Sequence, residues 1–151
     1  MREIQRDKIP SEEFSYMGRC WEIAKISNCK EAKYGAVIVK KIGGKDVILS
    51  QGFNHTIDDK LECKNCPRKK FDFNGGVGSD LCYAMHAERH SIIVAKGKHP
   101  YMEVKDSRMY IGKIKNNQIM ATRGRPYCTN CAQAIFINEI KEIIFYSKNG
   151  G

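Results

Sequence analysis

The spacing of hydrophobic residues along the chain changes repeatedly between a helical and an extended period. Phe14, Met17 and Trp21 recur at intervals of three to four residues, the spacing that keeps side chains on one face of a helix. Ser11 stands just before this run and is followed by acidic residues, which is typical of a helix start. The pattern therefore predicts a helix over residues 11–28 with Ser11 as its N-cap.

Two runs rich in β-branched residues follow this helix. They cover residues 34–40 and 47–53, with Gly43 and Gly44 between them. Glycine accepts the positive backbone angles that a tight hairpin turn requires. The sequence therefore predicts an antiparallel hairpin.

The second half of the chain predicts two more helices that alternate with strands. Helical spacing covers residues 86–97 and 128–138, whereas strand patterns cover 108–115, 118–122 and 140–146. Helices that alternate with strands are typical of layered α/β folds. We therefore expect an α/β fold with one mixed sheet covered by helices.

One segment, at about residues 55–83, shows little periodicity. It is rich in charged residues and glycine and holds three of the seven cysteines. It is also longer than a plain connection in a compact domain. Because no repeat or linker divides the chain, we expect one domain over residues 1–151 that carries this segment as a cysteine-rich insertion.

Composition narrows the class of protein. Lys and Arg outnumber Asp and Glu by 26 to 17, a net charge of +9, which suits an anionic partner such as a nucleotide phosphate or nucleic acid. An ordinary solvated surface explains the charge equally well. The chain shows no signal peptide and no apolar run of about 18 residues. We therefore expect a cytoplasmic protein without a membrane partner.

The cysteines indicate a metal site rather than disulfides, because the chain has no secretion signal. Cys128 and Cys131 form a CxxC pair at one predicted helix start, and His86 stands at another. Three ligands leave a fourth coordination position for water, as in catalytic zinc sites, whereas structural zinc is closed by four. Glu88 supplies a carboxylate beside the site for proton transfer. Helix starts are also expected to lower the pKa of the two thiols.

Each of these fragments also has another interpretation. A lone histidine is often an ordinary polar contact, and a lone CxxC pair can be a redox site. His86 and His90 form the His-x-x-x-His spacing of zinc metalloproteases. In that motif a glutamate directly follows the first histidine, whereas Ala87 does so here. The sequence therefore disfavours a protease.

A second metal site is predicted from four further cysteines. A closed Cys₄ zinc site would tie the irregular segment to the rest of the fold. Reduced thiols in a loop and a core are the alternative. The four residues are Cys29, Cys63, Cys66 and Cys82.

These motifs resemble the cytidine and deoxycytidylate deaminase family, in particular its deoxycytidylate deaminase branch, over residues 16–146. His86-Ala87-Glu88 with the CxxC pair resembles the family's catalytic zinc site. Gly52-Phe53-Asn54 resembles its Gly-aromatic-Asn motif. The resemblance implies a three-layer α/β/α fold, a sugar contact from Asn54 and a pyrimidine carbonyl held by the Ala87 N–H. It also supports the second zinc and implies a homo-oligomer.

The function implied by this resemblance is zinc-dependent hydrolysis of dCMP to dUMP and ammonia, with Glu88 as the proton carrier. Arg123 and Arg125 precede the CxxC pair and could reach the substrate phosphate. The alternative is that both arginines are exposed charges in a loop and contact no substrate.

Two other functions remain open at the level of sequence. One is a deaminase that resembles the tRNA adenosine deaminases and acts on a base within RNA or DNA. The other is a non-catalytic zinc module that binds nucleic acid. Such a module has no use for Glu88, and the two CxxC pairs are too far apart in sequence for a zinc ribbon.

Overall fold

The structure is a computed structural model. It describes residues 2–5, 10–56, 66, 70–71, 78, 81–100, 103–122 and 128–147. Most of the predicted insertion at 55–83 lies outside these residues. The elements in chain order are β1 (Arg2–Gln5), α1 (Ser11–Ala24), β2 (Lys33–Ile42), β3 (Lys45–Phe53), α2 (Ala87–Lys98), β4 (Arg108–Lys115), β5 (Gln118–Met120), α3 (Thr129–Ile137) and β6 (Glu142–Ser147).

The described strands form one mixed sheet of six. Its order is β1-β6-β4-β2-β3, and β5 pairs with β4 beside this path. β2 is antiparallel to both β3 and β4, whereas β6 is parallel to β4 and β1. The predicted mixed sheet is therefore confirmed. The strand β1 was not predicted, because four residues are too few to show a period.

Helices cover both faces of the sheet. Successive residues of a strand point to opposite faces, so Val37 and Val39 of β2 pack toward α1, whereas Ala36 and Ile38 pack toward α2 and α3. A strand buried on both faces reads as a continuous apolar run, which explains the run at 34–40. The three-layer α/β/α arrangement is thus confirmed. None of the described helices is long and apolar enough to cross a membrane.

Two turns between paired strands adopt the backbone conformation that their residues allow. Gly43 and Gly44 have φ of 57° and 80° and join β2 to β3. Asn116 and Asn117 have φ of 51° and 58° and join β4 to β5. Two consecutive residues with positive φ are typical of the turns that match the twist of a hairpin.

The cap of α1 differs from the prediction. The first helical hydrogen bond runs from the Phe14 N–H to the Pro10 carbonyl oxygen, over 3.0 Å. Pro10, with non-helical φ and ψ, is therefore the N-cap. Ser11 is the first helical residue, and its assignment as the N-cap was wrong.

The predicted C-terminal end of α1 was also wrong, since the helix ends at Ala24 rather than at Asn28. The Asn28 side chain is engaged with Thr56: its Nδ2 donates to Thr56 Oγ1 over 2.8 Å, and its Oδ1 accepts from the Thr56 N–H over 3.0 Å. These bonds tie the segment after α1 to the segment after β3. A further helical turn would carry Asn28 away from this partner.

Two glycines let α1 lie close to the sheet. Gly35 of β2 and Gly112 of β4 are paired across the strands. A Cβ at Gly35 would overlap the main-chain oxygen of Cys20, and one at Gly112 would lie 2.7 Å from Trp21 Cδ1. The helix therefore rests on a part of the sheet without side chains.

We predict that Gly35→Ala lowers the free energy of unfolding by about 1–3 kcal/mol, because α1 must move away from the added methyl group. Urea denaturation measures the change. The matched control is Gly18→Ala within α1, where an added Cβ meets nothing within 4 Å. That variant should gain about 0.5–1 kcal/mol of helix stability. Equal stability of Gly35→Ala and the wild type would contradict the close approach.

Candidate metal centre

Two helix starts bring the predicted metal ligands together. His86 is the N-cap of α2, and Cys128 is the N-cap of α3. The two helices pack on the same face of the sheet and touch each other. Both fragments were predicted to lie at helix starts, and the structure places them there.

The potential ligand atoms of His86, Cys128 and Cys131 all lie within 4.8 Å of one another. His86 Nδ1 is 3.2 Å from Cys131 Sγ, and the Cys131 N–H donates to Cys128 Sγ over 3.4 Å. A tetrahedral zinc with bonds of about 2.0–2.3 Å holds its ligand atoms roughly 3.5–3.8 Å apart. The three side chains therefore fit one zinc ion, with Nδ1 as the histidine ligand. Within the described part of the chain, no other group of three or more His, Cys, Asp or Glu residues converges in this way.

The charge state of Cys131 differs from what a helix start alone predicts. Burial raises the pKa of this fully buried thiol above its ordinary value, and the Glu88 carboxylate raises the pKa further. The expected lowering of this pKa by the helix start is thus outweighed. A thiol must lose its proton to bind a metal, and the cation itself drives that loss. The negative charge of Glu88 also favours a divalent cation at this position.

Glu88 lies in the first turn of α2 and is partly buried. Its electrostatic effect on Cys131 indicates that the carboxylate is close to the ligand group. Ala87, between His86 and Glu88, is fully buried at the first position of the helix. The first amides of a helix have no intrahelical acceptor. The Ala87 N–H is therefore a donor of the kind that the predicted pyrimidine contact requires.

The first turn of α2 is fixed to β3 at a glycine. A Cβ at Gly52 would overlap the Ser91 nitrogen and lie 2.7 Å from the Ala87 oxygen. Ser50 Oγ donates to the Ser91 carbonyl oxygen over 2.7 Å, and Ser91 Oγ donates to the Glu88 carbonyl oxygen over 2.8 Å. These bonds hold the turn that carries the predicted metal ligand His86 and the Glu88 carboxylate. Neither serine was predicted from the sequence, although a glycine inside a strand does indicate close approach of another backbone.

Asn54, the predicted sugar contact, is buried directly after β3. Its Oδ1 accepts from the Tyr34 N–H over 2.7 Å, and its Nδ2 donates to the Ala32 carbonyl oxygen over 2.9 Å. Asn54 stands two residues beyond Gly52, so its side chain lies on the same sheet face as α2. The amide is thus held in a fixed orientation beside the start of that helix.

His90 is placed by the structure outside the ligand group. Its Nδ1 lies 3.2 Å from the Phe53 nitrogen and 3.0 Å from the Phe53 oxygen. Its ring also contacts the ring of His55, with centroids 4.7 Å apart. The His-x-x-x-His spacing therefore does not form a metal site, in agreement with the argument against a protease.

Several predicted site residues lie outside the described part of the chain. Arg123 and Arg125 are among them, and so is Cys63. The second zinc site consequently stays a prediction. Its other three proposed ligands are described; they form no disulfide, and they do not converge as a group that could hold a metal: Cys29, Cys66 and Cys82.

Comparison with known proteins gives two findings. The sequence model of a family described as the cytidine and deoxycytidylate deaminase zinc-binding region matches residues 10–147. The deoxycytidylate deaminase of Schizosaccharomyces pombe is 26% identical to this chain over 140 residues. That match covers 91% of the chain but 38% of the yeast protein. The chain thus spans well under half the length of this curated relative.

We predict that Cys131→Ala loses one zinc ion per chain, because two ligands hold the metal far more weakly than three. Elemental analysis of the dialysed protein measures the loss. Cys20→Ala is the matched control, since Cys20 is also fully buried but belongs to α1, which packs on the opposite sheet face. Circular dichroism should show both variants folded. Wild-type zinc content in folded Cys131→Ala would contradict the assignment.

Proposed function

Because the chain belongs to the cytidine and deoxycytidylate deaminase family, we propose that it deaminates a cytosine nucleotide, converting dCMP to dUMP with release of ammonia. The observation that carries this proposal is the convergence of His86, Cys128 and Cys131 beside Glu88. Three ligands leave one position for a reacting water, and Glu88, in the first turn of the helix that His86 caps, is proposed to reach it.

Zinc held by these residues would supply Lewis-acid activation of a water molecule, whose pKa falls toward about 7 in such sites. Glu88 accepts the proton of the attacking water and donates it to the ring nitrogen of cytosine. It then takes the remaining proton of the added water and donates it to the departing amino group as the bond from carbon to that group breaks. The water oxygen becomes the new carbonyl oxygen of uracil, so one water is consumed for each ammonia released.

The first turn of α2 would also orient the base. In the proposed complex the Ala87 N–H donates to the pyrimidine carbonyl, and Asn54 contacts the sugar. Arg123 and Arg125 precede Cys128 in sequence and are proposed to contact the phosphate. The net charge of +9 favours an anionic substrate, and the name of the yeast relative supports dCMP.

We predict that purified protein releases ammonia from dCMP faster than from CMP, deoxycytidine, guanine or tRNA. A coupled ammonia assay on this panel identifies the base, the sugar and the phosphate state. Faster turnover of tRNA or single-stranded DNA, with strong salt dependence, would replace the proposed substrate by a base within nucleic acid. An absence of ammonia from every compound would contradict the proposed reaction.

The control for this assay is Glu88→Gln, which keeps the shape of the side chain but cannot carry the proton. We expect turnover to fall by about 10²–10⁴-fold, the range typical of a lost general acid–base group, while zinc content stays at the wild-type level. The matched variant is Glu22→Gln, because Glu22 is exposed on α1 and pairs with Lys25. It should retain full turnover.

The second zinc site is also part of the proposal. Four thiolates would complete the coordination of a structural zinc and hold the segment between β3 and α2. This segment leads into the first turn of α2. The ligands proposed for it are Cys29, Cys63, Cys66 and Cys82.

We predict two zinc ions per wild-type chain, and loss of one in Cys63→Ser together with a lower midpoint of thermal unfolding. Elemental analysis and a thermal scan measure the two effects. Cys20→Ala again serves as the control and should retain both metals. A single zinc in well-folded wild-type protein would eliminate the structural site and leave the catalytic one unaffected.

A further inference from the structure

The start of α2 lies over a row of residues that crosses three strands. Ala36 of β2 is paired with Gly52 of β3 on one side and with Ile111 of β4 on the other. The Ala87 carbonyl oxygen lies directly over Gly52. The next turns of α2 pack toward the other end of β3, since Ser50 bonds the backbone of Ser91. The helix therefore begins near the end of β3 where the chain leaves the sheet.

A second row of neighbouring residues crosses the same three strands, two positions closer to the end of β3 where the chain leaves the sheet. Tyr34 is paired with Lys113, and the Asn54 N–H donates to the Tyr34 carbonyl oxygen over 3.1 Å. Residues two apart on a strand share a face, so Asn54, Tyr34 and Lys113 lie side by side on the face that α2 covers. We call these three residues the edge row. It adjoins the helix start that carries His86 and Glu88.

Lys113 is held within the edge row rather than extended into solvent. Its ammonium nitrogen lies 5.6 Å from the centroid of the Tyr34 ring, a cation–π contact, and the residue is half-buried. Both neighbours in sequence, Gly112 and Ile114, are buried. A positive charge is therefore fixed above the sheet surface, where the dielectric constant is lower than in bulk water and its effect on an anion is stronger.

We propose that Lys113 selects nucleotides over nucleosides by binding the 5′-phosphate of the substrate. This inference rests on the proposed function and on the sugar contact assigned there to Asn54. Neighbouring strands are about 4.8 Å apart, so Lys113 is about two strand spacings from Asn54, with Tyr34 between them. A sugar at Asn54 thus directs its phosphate across the Tyr34 ring toward the ammonium.

The test is Lys113→Met, which keeps an unbranched stem of similar length and removes the charge. We expect the ratio of kcat/KM for dCMP to that for deoxycytidine to fall by about 10- to 100-fold, the range for loss of one charge-assisted hydrogen bond. The loss should appear mainly as a higher KM for dCMP. Lys113→Arg should recover most of the ratio.

Lys115→Met is the matched control, because Lys115 carries the same charge two residues further along β4 but is exposed. It separates a local contact from a general loss of positive charge, and its ratio should equal that of the wild type. An unchanged ratio in Lys113→Met would overturn the inference, and so would equal losses with both substrates, which indicate a structural role.

Failure of the proposed function gives a different result. In that case the wild type releases no ammonia from dCMP or deoxycytidine. Calorimetric titration of wild type and Lys113→Met with the same two compounds then decides the inference on its own. A preference of the wild type for dCMP that Lys113→Met loses supports the phosphate contact, and equal affinities in the wild type overturn it.

Discussion

The site depends on the close contact between the first turn of α2 and the end of β3. A side chain at Gly52 would separate the two elements, and the bonds from Ser50 and Ser91 hold them in register. His86 and Glu88 both belong to this turn or border it. A shift of about 1 Å there would move His86 and Glu88 relative to the thiols of α3. Such a shift is enough to impair a site whose geometry must be preorganised. The stability of the fold and the proposed catalysis therefore depend on the same contacts.

The sheet places the two halves of the site together. β4 and β6 are parallel, and such strands require a crossover, which contains α3. In open α/β sheets the crevice beyond the carboxyl ends of the strands is where ligands bind. The N-cap of α3 and the N-cap of α2 both lie at this edge. The proposed nucleotide would occupy the space between the two helix starts and the edge row, where backbone N–H groups and cations favour an anion.

Features set by local pattern could be predicted from the sequence, whereas features set by distant contacts could not. The strand at 108–115 and the two positive-φ turns follow from local pattern, as do the helix starts at His86 and Cys128. The early end of α1 depends on the Asn28 side chain meeting Thr56. The position of Lys113 over Tyr34 depends on the register of strands far apart in sequence. The spacing of residues near Asn28 or Lys113 does not show which distant residue each of them contacts.

The contact between His90 and Phe53 has a consequence for how other chains can approach the site. β3 is the terminal strand of the described sheet, and unpaired main-chain groups on such a strand are a template for a further strand. His90 Nδ1 lies against both the N–H and the C=O of Phe53, and it accepts from the N–H or donates to the C=O according to which ring nitrogen carries the proton. An extended peptide that continued the ladder at this point would have to displace the His90 imidazole. The His90 ring therefore disfavours β-augmentation at Phe53, beside the predicted metal ligands.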